Sequence, residues 1–141
     1  MEPVQTRQFN FVQDDLDFTE ANLSAPEIEG DKLIVYASNV GIVENNPANK
    51  REVEWSCPQI KITFYGVSLS KRTMQNRDSA EDGTVAFGAE RELTDLDRPD
   101  QNSNKKEFYL MGTMGQSALG IDVADPWKIC CDSAKFEIVA K

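Results

Sequence analysis

Val53-Glu54-Trp55-Ser56-Cys57-Pro58-Gln59-Ile60-Lys61-Ile62-Thr63-Phe64-Tyr65-Gly66-Val67 carries the clearest structural signal in the chain. Before the proline, Val53, Trp55 and Cys57 fall on one side, and Glu52 and Glu54 on the other. After it, Ile60, Ile62 and Phe64 face in while Lys61 and Thr63 face out. A period of two belongs to a strand half-buried on a sheet, and β-branched and aromatic residues suit that surface. The inward parity changes across Pro58, as a bulge would cause, and a bulge is where a sheet tolerates proline.

The same period extends outward from this stretch. Lys32-Leu33-Ile34-Val35-Tyr36-Ala37 follows the turn signal Gly30-Asp31. Phe18 to Glu29 is predicted to fold back as the other arm of that hairpin, with a bulge near Pro26. Downstream, Thr84–Phe87 is a short strand and Glu107–Met111, apolar on both sides, a central one. Trp127–Cys130 and Lys135–Val139 are predicted to pair as a hairpin across Asp132-Ser133. Only Ala89 to Leu96 reads as helical. Ser70–Gly83, Asp95–Lys106 and Glu44–Lys50 read as polar loops, and Phe9 and Phe11 suggest an edge strand. The expected fold is all-β, an antiparallel sandwich or flattened barrel of about 7–8 strands with at most one short helix. Its 141 residues fit a single domain, 1–141, in which residues 1–17 form a loosely packed N-terminal arm.

Composition excludes several functions. The chain has 24 acidic and 15 basic residues, a net charge of −9, which argues against direct nucleic-acid binding. With no histidine, the Ser-His-Asp and Cys-His arrangements and imidazole-based metal sites are ruled out. Cys57, Cys130 and Cys131 are an odd set, expected to be reduced and structural, with the adjacent pair pointing to opposite faces. No run of 18 apolar residues or basic-apolar leader occurs, so no membrane association and a cytoplasmic location are expected.

Motifs that mimic known chemistry fail on their details. Asp95-Leu96-Asp97-Arg98-Pro99-Asp100 lacks the glycine and the bidentate glutamate of a calcium loop. Ser68-Leu69-Ser70-Lys71 fits S-x-x-K but ends a β-run, without the K-T-G strand that completes such a site. Gly112–Ser117 lacks a P-loop ending and reads as a turn between strands. Lys71, Arg72 and Arg77 read as a solvated loop. No cofactor, metal site or catalytic group is expected, and an enzyme is the least favoured class.

Charge distribution is more informative. Asp14, Asp15, Asp17, Glu20, Glu27, Glu29 and Asp31 lie between Gln8 and Asp31 with no Lys or Arg among them. Such a patch either steers a basic partner or is a solvated face that keeps the protein soluble. Tyr36 and Tyr65 sit opposite the apolar sides of their strands and are candidate anchors beside the acids.

Phe18-x-x-Ala21, Gly30-Asp31-Lys32-Leu33-Ile34-Val35 and the closing Trp127-x-Ile129 resemble small bacterial β-rich immunity proteins of polymorphic or contact-dependent toxin systems. The resemblance implies a protein that binds a toxin and blocks it. Two other readings stand beside it: a β-module that binds a carbohydrate or peptide, and a subunit of a homo-oligomeric assembly.

Overall fold

A computed structural model of the chain describes residues 8–11, 16–18, 21–43, 46, 53–79, 85–98, 106–117 and 120–139, which hold strands and no helix. In order these are β1 (Gln8–Asn10), β2 (Leu16–Asp17), β3 (Asn22–Leu23), β4 (Glu27–Glu29), β5 (Lys32–Ile42) and β6 (Trp55–Tyr65). Then follow β7 (Leu69–Ser79), β8 (Val85–Phe87), β9 (Arg91–Asp97), β10 (Lys106–Ser117), β11 (Gly120–Cys131) and β12 (Ser133–Ile138). All twelve belong to one open mixed sheet of order β1-β12-β6-β5-β3-β10-β11-β7-β8, with β2 and β4 also on β5 and β9 also on β7.

β5 and β6 form the backbone of one wing, paired antiparallel from Leu33↔Phe64 to Ile42↔Trp55. Buried residues alternate as Leu33, Val35 and Ala37, then shift parity to Val40 and Ile42. β6 makes the same shift, from Cys57 to Ile60, so the inward face changes across Pro58 in step with β5. Asn39, facing this point between the Ser38↔Gln59 and Val40↔Cys57 pairs, has φ 57°. That left-handed conformation suits asparagine and accounts for the matched change.

The hairpin arm before Gly30 does fold back on β5, as β4 and β3, and β2 continues it, so that three pieces pair with that strand. Glu27–Glu29 pair with Lys32–Ile34, Asn22–Leu23 with Ala37–Ser38, and Leu16–Asp17 with Gly41–Ile42. Between Glu27 and Leu23 the arm advances one residue more than β5, which places the bulge at Ser24–Pro26.

The second wing is built on β11, paired with β10 on one side and β7 on the other. Both wings bury residues in one cluster that includes Leu33, Ile62 and Phe64 from the first and Phe108, Leu110, Trp127 and Ile129 from the second. At the seam between them, β3 and β10 are parallel and share one pair, Thr113↔Asn22, beside a bond in which Thr113 N–H donates to Ala21 O at 3.0 Å. Gly112 permits this approach. A Cβ there would stand 2.7 Å from Ala21 O and 3.1 Å from Leu23 Cγ. Gly112→Val should therefore cost about 1–3 kcal/mol. The measurement is urea unfolding, together with faster amide exchange at Thr113; an unchanged midpoint and exchange rate would refute the close-approach argument.

Several expectations are corrected. Twelve strands replace seven to eight, because β1–β4 and β8 are fragments of two or three residues. The stretch Ala89–Leu96, expected to be helical, instead lies largely in β9, held to β7 by pairs from Leu69↔Asp97 to Met74↔Arg91. β11 and β12 do not form a hairpin: β11 pairs with β10 and β7, and β12 with β6 and β1. Cys131 and Ser133 flank a crossing from one wing to the other at Asp132. Ser70–Ser79 and Gly112–Ser117, expected as loop and turn, lie within β7 and β10. The suggested edge strand at Phe9 is β1, where Phe9 stacks on Phe136 at 5.5 Å.

Candidate interaction site

Cross-strand register decides which of the acids meet the tyrosines. Glu27 and Glu29 are exposed on β4 and stand beside Ile34 and Lys32 of β5. Tyr36 pairs with Lys61, and Ile34 with Thr63, which pairs in turn with Lys135. Glu27, Glu29, Tyr36 and Tyr65 therefore share the outer face of the first wing, with Asp31 exposed at its turn. The same face carries Lys32, Lys61 and Lys135, so it is mixed in charge rather than uniformly acidic. Tyr36 and Tyr65 are half-buried, and Lys32 Nζ lies 5.7 Å from the Tyr65 ring centroid, a cation–π contact that occupies part of that ring.

Asp17 is exposed but stands apart from this group. It pairs with Gly41, seven residues along β5 from Ile34, about 23 Å away at a strand's rise per residue. A Cβ on Gly41 would stand 3.0 Å from Glu54 Cδ and 3.1 Å from Asp17 Cβ, so the two acids share the space above this glycine. Asp14, Asp15 and Glu20 lie outside the described residues.

The basic trio on β7 is not a solvated loop. Arg72 lies inward and forks onto Asp95, with Nε to Oδ2 at 3.0 Å and Nη2 to Oδ1 at 2.7 Å. The Trp127 indole N–H donates to Ser70 Oγ at 2.8 Å, and the Ser70 hydroxyl donates to Asp95 Oδ2 at 3.0 Å. The Arg72 guanidinium also lies 5.3 Å from the Trp127 ring centroid. The sequence reading placed Asp95 in a polar loop and missed this network; the one available signal was Arg72 alternating with Ser70 and Met74 on one side of β7.

A cavity of about 270 Å³ opens at the seam between β2 and the second wing. Its walls are Leu16, Asp17, Phe18, Tyr109, Leu110, Met111, Asp125 and Pro126. Leu16, Phe18 and Leu110 belong to the buried core and form its floor, while Asp17, Tyr109, Met111, Asp125 and Pro126 are exposed around it. None of these second-wing residues was singled out from the sequence as part of a site, because the arm and β10 lie about 90 residues apart in the chain.

No protein-family model, curated protein or solved structure matches this chain. Function must therefore be argued from its own residues.

Tyr109 is tied into an outer-face triad. Its hydroxyl donates to Glu107 Oε2 at 2.8 Å, and Lys128 Nζ lies 3.5 Å from Glu107 Oε1. The Tyr109 hydrogen bond, then the Lys128 charge, hold the Glu107 carboxyl below its ordinary range, and the same bond pushes the Tyr109 phenol above its own. The stabilisation from Glu107 is thus present above the ordinary glutamate range and lost as pH falls through its depressed folded value. Glu107→Gln should let Tyr109 ionise at lower pH, read from phenolate absorbance. An unchanged or raised titration would show that the bond does not persist in solution.

The thiols are unsuited to nucleophilic chemistry where they are buried. Cys57 and Cys131 are buried and Cys130 is half-exposed, and burial pushes the Cys57 thiol up against the weaker opposing effect of a backbone hydrogen bond at Gln59. Ser68 is buried and faces Cys130 O at 3.4 Å. Among the described residues, no group of three or more Cys, Asp or Glu is placed to hold a metal ion.

Proposed function

We propose that this protein is a non-catalytic, cytoplasmic binding module of the immunity or inhibitor type, which neutralises a basic protein partner by covering its working surface. The observation that carries this reading is the run Glu27-Ile28-Glu29-Gly30-Asp31, exposed at every residue, made of β4, which pairs with β5 alone among the described strands, and the turn after it. Glu27 and Glu29 offer a basic partner charge steering from the outer face, while Ile28, paired with the buried Leu33 and 45% exposed, adds an apolar contact from the opposite side of the same edge. Tyr36 and Tyr65, on the same outer face as Glu27 and Glu29, extend the contact area. In this reading the sheet acts as a flattened, unclosed barrel that keeps the β4 edge rigid.

Reversing the three acids together, Glu27→Lys, Glu29→Lys and Asp31→Lys, should slow association with the captured partner at least about tenfold at low salt. The partner is isolated with tagged wild-type protein at about 50 and 500 mM salt, where screening weakens exposed charge pairs. Equal association rates for variant and wild type, with no salt dependence, would sink the electrostatic reading. A single stable oligomer with no partner would favour the assembly subunit instead.

A further inference from the structure

We infer that the seam cavity between β2, β10 and the Asp125-Pro126 segment of β11 is a seat for one arginine side chain of the protein partner. Size comes first. About 270 Å³ lies just below the ~300–1,000 Å³ of pockets that hold drug-sized ligands. A single long side chain fits such a space.

The lining specifies the chemistry of that side chain. Leu16, Phe18 and Leu110 give an apolar floor for an aliphatic stem, and Met111 and Tyr109, 41% and 42% exposed, give adaptable and aromatic walls. Asp17 and Asp125, both acidic, line the cavity from opposite sides of the seam, one from each wing. Glu54 adds a third negative charge beside Asp17 over Gly41. A cationic head on an apolar stem complements all of these features. Guanidinium is favoured over ammonium because its planar fork can bond to carboxylate and stack on the tyrosine together.

Two of the protein's own cations lie near this mouth: Lys128, opposite Tyr109 and held by Glu107, and Arg77, whose hold on Asp125 is loose. Arg77 Nη2 reaches Asp125 Oδ2 at 3.8 Å, longer than the ~2.7–2.9 Å of a charge-assisted hydrogen bond. Arg77 is turned toward the Phe87 ring, 5.7 Å from its centroid. An incoming guanidinium at bonding distance would hold Asp125 more closely than Arg77 does.

The identity of the cation's source rests on the protein-binding reading above; the cavity's preference for a guanidinium does not. The test uses N-acetyl-arginine methylamide as the probe, followed by the Met111 methyl and Tyr109 ring signals in NMR. Saturable shifts at both residues are expected. The isosteric, uncharged citrulline analogue should bind at least tenfold more weakly, the lysine analogue more weakly than arginine, and Asp17→Asn/Asp125→Asn should lose at least tenfold toward arginine. Both substituted carboxylates are exposed, so the fold should survive, and an unchanged unfolding midpoint checks that. Equal binding of the citrulline analogue, equal binding by the double variant, or no shift with arginine would each overturn the seat. Those failures leave salt-dependent partner capture untouched. Conversely, a specific arginine response from a protein that captures no partner would uphold the cavity's chemistry and overturn the function proposed above.

Discussion

Asp95→Ala should destabilise the protein by about 3–5 kcal/mol, the cost of leaving one member of a buried ion pair without its partner. The Asp95 and Arg72 side chains are 8% and 14% exposed, so water cannot take over the lost contacts. Removing the carboxylate strands the Arg72 guanidinium and leaves the Ser70 hydroxyl without its acceptor, while Trp127 Nε1 still donates to that hydroxyl. The lost energy is the desolvation of groups that remain buried, not the net worth of the pair. A double variant, Arg72→Met/Asp95→Ala, should therefore be more stable than the sum of the single losses implies. By contrast, neutralising Glu92, whose bridge to Lys71 spans 3.4 Å between side chains 64% and 42% exposed, should leave the unfolding midpoint nearly unchanged. Urea midpoints of the four variants decide the matter. A loss for Asp95→Ala no larger than that for Glu92, or strict additivity with Arg72, would show that the network is not closed in solution.

Phe64→Ala should cost a similar amount, about 3–5 kcal/mol, through a different cause. Phe64 is fully buried and touches Phe11 and Phe108 with ring centroids 5.8 Å away in each case, while Phe11 and Phe108 meet at 5.2 Å. These three rings come from β6, the segment after β1, and β10, so deleting Phe64 opens a cavity where the two wings press together. The neighbours are large, planar and held by separate strands, and collapse can refill little of the space. Phe9→Ala is the control: its ring stacks on Phe136 but is only half-buried, and it should cost clearly less. A Phe64 loss no greater than the Phe9 loss would mean that the wings do not depend on this contact.

Legibility in the sequence followed one physical rule: a strand is readable where one side is buried and the other wet. β5 and β6 largely follow it, with Ile34 and Thr63 the outer-side exceptions, and even the parity change at Pro58 could be read. The arm was readable because Gly30-Asp31 marks its turn and Pro26 its irregularity. β9 was not, since Arg91, Glu92, Leu93 and Thr94 are all exposed and only Leu96 is buried, leaving nothing to alternate. Arg72 looked solvated because its burial depends on Asp95, 23 residues away, which local pattern cannot reveal. The β11–β12 error has a similar origin. Adjacent strands around a polar residue normally form a hairpin, but here each finds a longer partner in a different wing. For the candidate site, register brought Glu27, Glu29, Tyr36 and Tyr65 to one face. It set Asp17 apart and interleaved three lysines, which a linear count of charge does not anticipate.

That parting of β11 and β12 also governs the order in which the chain can assemble during synthesis. β5 and β6 emerge early and can zip at once, yet the first wing lacks β12, whose Ala134 and Phe136 pair with Phe64 and Ile62. The second wing waits equally long, because β7 emerges well before β11, the strand that joins it to β10. A ribosome-bound chain thus exposes two unfinished β-edges until nearly all the described strands have been made. Slow, late-committing folding follows from that topology, with a period of vulnerability to aggregation that the exposed charges on β4 and β9 help to limit.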